Sequence, residues 1–206
     1  MRSADPAHAV GTTSALIAAG TGLAFGTSFL LERFAPGSPR DLRVPLAYVA
    51  LAAPLLVAFR ADISVFGFRR SRLGIAVISG SMLALAALLA AGKWITLSSG
   101  PTTDRAVALL AFTIVASIEE GMFRGVFQAQ LVSWLGRWRG LLVGAACFSL
   151  WHLPQRLLTG VSGVDLAASL ILVFLVGIVL GLFMLAVRNA VGPAILHTAL
   201  DWVDRL

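Results

Sequence analysis

The sequence predicts an all-α fold, a polytopic bundle of about seven transmembrane helices. Three observations carry this. The chain has 206 residues, of which 58% are hydrophobic and 13% charged, about half the charge fraction of a soluble domain. Its mean hydropathy is +0.90. Its apolar residues fall in long uncharged runs divided by short segments holding Gly, Pro and Arg, and runs near 20 residues are what a bilayer crossing needs.

The formal charge of +6 does not point to nucleic acid. The basic residues are scattered through short segments and form no basic face or recognition motif. Arginine at the ends of apolar runs is what membrane interfaces favour. The single cysteine, Cys147, excludes an intrachain disulfide.

In chain order, span one covers about Ala9–Leu31, in a stretch uncharged from Pro6 on with His8 neutral. It is too long for the apolar region of a signal peptide and reads as a first transmembrane helix. The segment Glu32–Arg43, with Pro36, Gly37 and Pro39, is a loop. Span two is about Val44–Phe59, with Pro45 and Pro54 placed to start and kink it. Arg60–Arg72 is a loop or an interfacial turn around Phe66-Gly67-Phe68. Span three, Leu73–Gly92, is uncharged and dotted with small residues suited to close helix packing. Ser98-Ser99-Gly100-Pro101 breaks the chain, and Thr102 and Thr103 are candidate caps for the next helix.

Span four runs from Thr103 to Leu135, and Gly136–Gly140 is a turn. Span five, Leu141–Leu153, is expected to stop at Pro154, with Gln155–Asp165 as a loop. Span six is Leu166–Val187. Arg188–Gly192 forms a turn, with Pro193 as the first residue of the last helix, which runs from Ala194 to about Val203. Orientation is not set by charge: alternate segments hold eight and seven basic residues, too even for the positive-inside rule. Residues 1–102 read as N-terminal transmembrane helices and 103–206 as a helix core, together one membrane domain.

Span four contains Ser117-Ile118-Glu119-Glu120-Gly121-Met122-Phe123-Arg124, two carboxylates and a guanidinium inside an apolar helix. Ionisable groups at membrane depth are costly and mark function unless paired. On a regular helix Glu120, Arg124 and Gln128 share one stripe, so Glu120 and Arg124 pair. Glu119 lies about 100° away and is left free. His152 ends span five, and His197 and Asp201 stand at i, i+4 in span seven. Taken singly, His152 reads as an interfacial histidine and Asp201 as a partner for Arg205. Two Glu, two His and one Asp in three apolar helices are harder to read as separate accidents. Glu119 and His152 lie about 25 and 18 Å of helical rise from the shared turn, and tilt of the neighbouring antiparallel helices can bring them to similar depth. His197 is only about 6 Å past Pro193, so either the last helix begins below the surface or His197 sits shallower.

A carboxylate with a histidine can activate a water for attack on a peptide carbonyl, and a second histidine with Asp201 can steady the oxyanion. Asp201 does this as a donor only when protonated; ionised, it orients His197 instead. Alternatively Glu119, His152 and His197 form a ligand set that suits zinc. The chain has no His-Glu-x-x-His motif and no serine-nucleophile elbow.

Three motifs together resemble the CPBP family of intramembrane proteases, also called the Abi or CAAX-protease-and-bacteriocin-processing family. They are Glu119-Glu120-x-x-x-Arg124, Phe148-x-x-x-His152 and His197-x-x-x-Asp201. The run Val191–His197 is similar to the family's lead-in to its last motif, and the resemblance covers roughly Thr103–Trp202. It implies an intramembrane endopeptidase with Glu119 as the water-activating carboxylate beside His152, and His197 with Asp201 around the oxyanion. Glu120, Arg124 and Phe148 would support the site. Asp201 stands where many members have Asn, and the shared residues fit a metallo- and a glutamate-type mechanism equally. The implied partners are the lipid bilayer and a membrane-associated protein or peptide substrate. Two other readings use the same residue types: a proton-coupled transporter, for which the expected inverted repeats are not found, and a catalytically silent scaffold.

Overall fold

The computed structural model describes residues 40–58, 62–93 and 102–203. Span one, and the segments joining the described parts, lie outside these residues. Every regular element described is helical. In order they are α1 (Arg40–Ala58), α2 (Leu73–Ala90), α3 (Thr103–Glu120), a π-helical segment π1 (Gly121–Phe127), α4 (Gln128–Leu135), α5 (Arg137–Trp151), α6 (Leu153–Leu158), α7 (Gly163–Val187) and α8 (Val191–Trp202).

Among the described residues three stretches are long and apolar enough to cross a membrane: α2, the continuous run Thr103–Leu135, and α7. They match expected spans three, four and six. The helices at expected spans five and seven have only 15 and 12 residues, short of the roughly 20 a full crossing takes. The count of seven is therefore not reached among the described residues. Both α2 and α7 turn apolar side chains outward, including Ile75, Ile78, Met82, Ile171, Leu172 and Val179. Such faces suit lipid, where they meet no water.

Span four differs from a regular helix. Thr102 caps it, its hydroxyl accepting from the Arg105 N–H at 3.4 Å, but Gly121–Phe127 winds as a π-helix. Single π turns inside α-helices often occur at functional sites. This one is bracketed by two glycines against the loop of residues 62–72. A Cβ on Gly125 would lie 2.0 Å from the Phe66 carbonyl oxygen, and one on Gly121 would lie 3.0 Å from the Phe68 ring. The loop thus presses its backbone onto π1, and Phe66 joins Met122, Phe123, Val126 and Phe148 in the core. Of the two sequence readings for Arg60–Arg72, the described part is a run of turns packed on π1.

Two further boundaries are corrected. α5 ends at Trp151, and Leu153–Leu158 forms the short helix α6 where a loop was expected. Pro154 lies in the first turn of α6, where its missing N–H is not needed, so it starts a helix here instead of ending one. α8 begins at Val191, making Pro193 its third residue and not its first; that position too has no intrahelical acceptor to lose.

Small residues set the spacing around the last helix. A Cβ on Gly80 of α2 would stand 2.9 Å from the Gly192 carbonyl oxygen of α8, so two helix backbones meet there directly. The turn before α8 is buried. Asn189 is fully buried; its Nδ2 donates to the carbonyls of Arg69 at 2.6 Å and Ser71 at 3.1 Å. Its Oδ1 accepts from the Val191 N–H at 3.1 Å, and the Ala190 N–H donates to Gly67 at 2.9 Å. One loop therefore fixes both π1 and the start of α8, and those two elements carry Arg124 and His197.

Candidate active site

Glu119 and Glu120 close α3 immediately before the π segment, at 2% and 0% exposure. Consecutive positions on a helix point about 100° apart, so the two carboxylates enter different surroundings. Glu120 Oε2 faces Arg124 Nε at 3.3 Å. Its other oxygen, Oε1, lies 2.9 Å from His197 Nδ1. The guanidinium has two further contacts: Nη2 donates to the Gly177 carbonyl of α7 at 3.4 Å, and the Phe148 ring lies 4.0 Å beneath its central carbon. The Glu120–Arg124 pairing read from the sequence is present, and the Glu120–His197 bond is an addition to it. Gln128, expected on the same stripe, bonds away from this pair, with Nε2 donating to the Gly181 carbonyl at 3.1 Å.

Glu119 faces the other way. Its Oε2 lies 4.0 Å from His152 Nε2 and 3.8 Å from His197 Nε2. Its Oε1 accepts a hydrogen bond from the Tyr48 hydroxyl of α1. Asp201 is about a third exposed, and its Oδ2 lies 3.6 Å from His197 Nε2, beyond hydrogen-bond reach. The four residues expected to carry chemistry, Glu119, His152, His197 and Asp201, thus line one cavity of about 500 Å³. Tyr48, Gln155 and Arg156 add polar groups to its wall, and Val44, Phe112, Val115, Leu172 and Val176 make much of the rest apolar.

The far nitrogens of both imidazoles are held, which fixes what the near nitrogens offer. His152 Nδ1 lies 2.8 Å from the Phe148 carbonyl, which can only accept, so that nitrogen carries the proton. His197 Nδ1 donates to a carboxylate that is itself paired with arginine. Each neutral imidazole therefore presents a bare Nε2 toward Glu119, and each imidazolium an N–H. Phe148 is 1% exposed and packs edge-on against both rings, with centroids 4.8 Å from His152 and 5.7 Å from His197. It separates the imidazoles while leaving both Nε2 atoms on the cavity side.

As they stand, these side chains are not set at the spacing of zinc ligands. A tetrahedral ion with bonds of about 2.0–2.1 Å brings its ligand atoms to about 3.3 Å from one another, closer than the 4.0 and 3.8 Å between Glu119 and the imidazoles. Among the described residues no three His, Cys, Asp or Glu side chains are arranged to hold a metal ion.

Sequence reasoning missed Tyr48. It lies 71 positions from Glu119, and no local pattern links the two. The available signal was that Tyr48 is the single tyrosine of the chain, placed within an apolar span. Asn189 was read only as part of a turn, and two of its three side-chain bonds depend on a loop more than a hundred positions away.

A family model described as type II CAAX prenyl endopeptidase Rce1-like matches residues 101–203, half of the chain and all of the site except the α1 wall. No curated protein and no solved structure matches the chain. With three motif-bearing helices closing around one cavity and this match over the segment that holds them, the chain belongs to the Rce1-like family of type II CAAX prenyl endopeptidases.

Proposed function

We propose that the protein is a multi-pass intramembrane endopeptidase that hydrolyses a peptide bond of a membrane-associated protein or peptide, using a water activated by Glu119 and His152. The observation that carries this reading is the 4.0 Å separation of Glu119 Oε2 and His152 Nε2 at the wall of an otherwise mainly apolar cavity. Two hydrogen bonds of about 2.8 Å meeting at one water span about 4.0–4.6 Å.

With Nδ1–H bonded to Phe148, neutral His152 accepts one water hydrogen at Nε2, and ionised Glu119 accepts the other at Oε2. The water oxygen is left with its lone pairs toward the substrate carbonyl. Glu119 takes a proton as the C–O bond forms. Protonated His197 donates from Nε2 to the oxyanion, with Asp201 at the same edge. Glu119 then returns the proton to the leaving amine as the C–N bond breaks. No step is routed through a metal. Glu120 anchors His197, Arg124 pairs with Glu120, and Phe148 packs against both imidazoles at the cavity wall.

The apolar walls support a hydrophobic peptide segment as substrate. Three helices able to cross a membrane, in a chain of a membrane protease family, support a multi-pass integral membrane location with the bilayer as its partner. The family match favours peptide hydrolysis over the transporter and scaffold readings. Mass spectrometry of membrane fractions from cells carrying wild type or Glu119→Gln tests the proposal. Membrane-protein fragments present with wild type and absent with the variant are expected; identical fragments in both would refute it.

A further inference from the structure

Tyr48 lies on α1, outside the matched segment 101–203, yet its hydroxyl donates to the carboxylate at the centre of the proposed chemistry. The direction of that hydrogen bond is fixed by a third residue. The Trp151 indole Nε1 lies 3.5 Å from the Tyr48 hydroxyl oxygen, and an indole N–H can only donate. The phenol therefore accepts from Trp151, and its one proton goes to Glu119 Oε1. Tyr48 is packed in place by the core cluster of Ala47, Phe66, Met122 and Phe148.

Ionised Glu119 has two oxygens and one rotatable carboxylate plane. With Oε1 occupied by Tyr48, Oε2 is the oxygen left for the cavity, 4.0 Å from His152 Nε2 and 3.8 Å from His197 Nε2. No other described side chain donates to Oε1. Without the phenol, the carboxylate is free to turn and offer either oxygen at either angle.

We propose that Tyr48 is a positioning residue for the reaction: it fixes the carboxylate plane of Glu119 so that Oε2 meets the attacking water. The N-terminal helices, outside the family-matched core, would then supply part of the catalytic geometry. Removing the phenol releases this alignment, and a displacement of about 1 Å at a reacting group costs about 100-fold in rate.

This inference rests on the proposed protease reading, so the test has two independent readouts on the purified full chain in lipid nanodiscs. Tyr48→Phe keeps the ring and its packing and removes only the hydroxyl. The first readout is the infrared carboxylate band of Glu119, identified as the band that Glu119→Gln removes. It is expected to shift in Tyr48→Phe, and an unmoved band would overturn the contact. The second is cleavage of a quenched-fluorescent apolar peptide library. Turnover by Tyr48→Phe is expected to fall about 10- to 100-fold with KM unchanged. Wild-type turnover, or a raised KM at unchanged kcat, would overturn the positioning role and leave Tyr48 as a cavity wall. Absence of cleavage by the wild type, or full activity of Glu119→Gln, would count against the protease reading, while the infrared band still decides whether Tyr48 holds Glu119.

Discussion

Glu120 Oε1 and His197 Nδ1 lie 2.9 Å apart, joining residues 77 positions apart in the chain. This contact gives His197 a partner that spacing does not show. Spacing offers Asp201, one helical turn away on the same helix, as an oxyanion donor when protonated or, when ionised, as the group that orients His197. In the fold Asp201 lies on the Nε2 side at 3.6 Å, while Glu120 holds the opposite nitrogen. The two carboxylates of the Glu-Glu pair thereby serve different purposes, one facing the cavity and one anchoring an imidazole.

The first prediction concerns stability of this anchor. Arg124 is 2% exposed, and removing its partner leaves a buried charge uncompensated, at about 3–5 kcal/mol. Glu120→Ala strands Arg124 and also frees His197. Arg124→Ala strands Glu120, which keeps His197 as a partner. Both variants are expected to lower the thermal midpoint in detergent, Glu120→Ala by more. Equal midpoints for wild type and Glu120→Ala would show that the pair does not hold the helices together.

A second prediction addresses the π segment. A Cβ at residue 125 meets backbone atoms of Phe66 at 2.0 Å, and backbone cannot swing aside as a side-chain end can. Gly125→Ala is expected to cost at least about 2–3 kcal/mol, displace the loop of residues 62–72 and reduce turnover with it. Gly74, where an added Cβ meets nothing within 4 Å, serves as the comparison: Gly74→Ala should leave the melt unchanged or raise it slightly. Thermal ramps of the two purified variants check this.

The third prediction is for Asp201. With Glu120 Oε1 at His197 Nδ1, the proposed mechanism gives Asp201 the role of a group at the reacting edge. An Asn there can donate a hydrogen bond at any pH, whereas Asp donates only when protonated and loses that ability as pH rises. Asp201→Asn is therefore expected to stay active and to extend activity to higher pH, and Asp201→Ala to be at least about tenfold slower. A pH–rate profile of each variant decides. An inactive Asn variant would return Asp201 to an electrostatic role beside His197, and a fully active Ala variant would remove it from the site.

What the sequence made legible follows physical range. Charges inside apolar runs are conspicuous because burying them is costly, so Glu119, Glu120, Arg124, His152, His197 and Asp201 stood out before any fold was known. The Glu120–Arg124 pair was readable because i, i+4 neighbours touch on a helix. The Glu120–His197, Tyr48–Glu119 and Asn189–Arg69 contacts were not, since each depends on the approach of distant segments. The π turn was hidden for the same reason: Gly121 and Gly125 look like ordinary small residues in a span until the backbone of Phe66 arrives against them. Pro154 and Pro193 misled as boundary markers because proline is tolerated throughout a first helical turn, and nothing local says which residue of that turn it occupies.

The measurement that tests the central claim most directly is the turnover of purified Glu119→Gln against wild type in lipid nanodiscs, on the membrane-protein fragments' parent sequence identified by mass spectrometry. Gln keeps the shape and the ability to accept from Tyr48 but cannot take a proton from water. The account predicts loss of turnover by at least about a hundredfold, with a melting transition that shows the variant still folded. Turnover equal to wild type in a folded Glu119→Gln would contradict it.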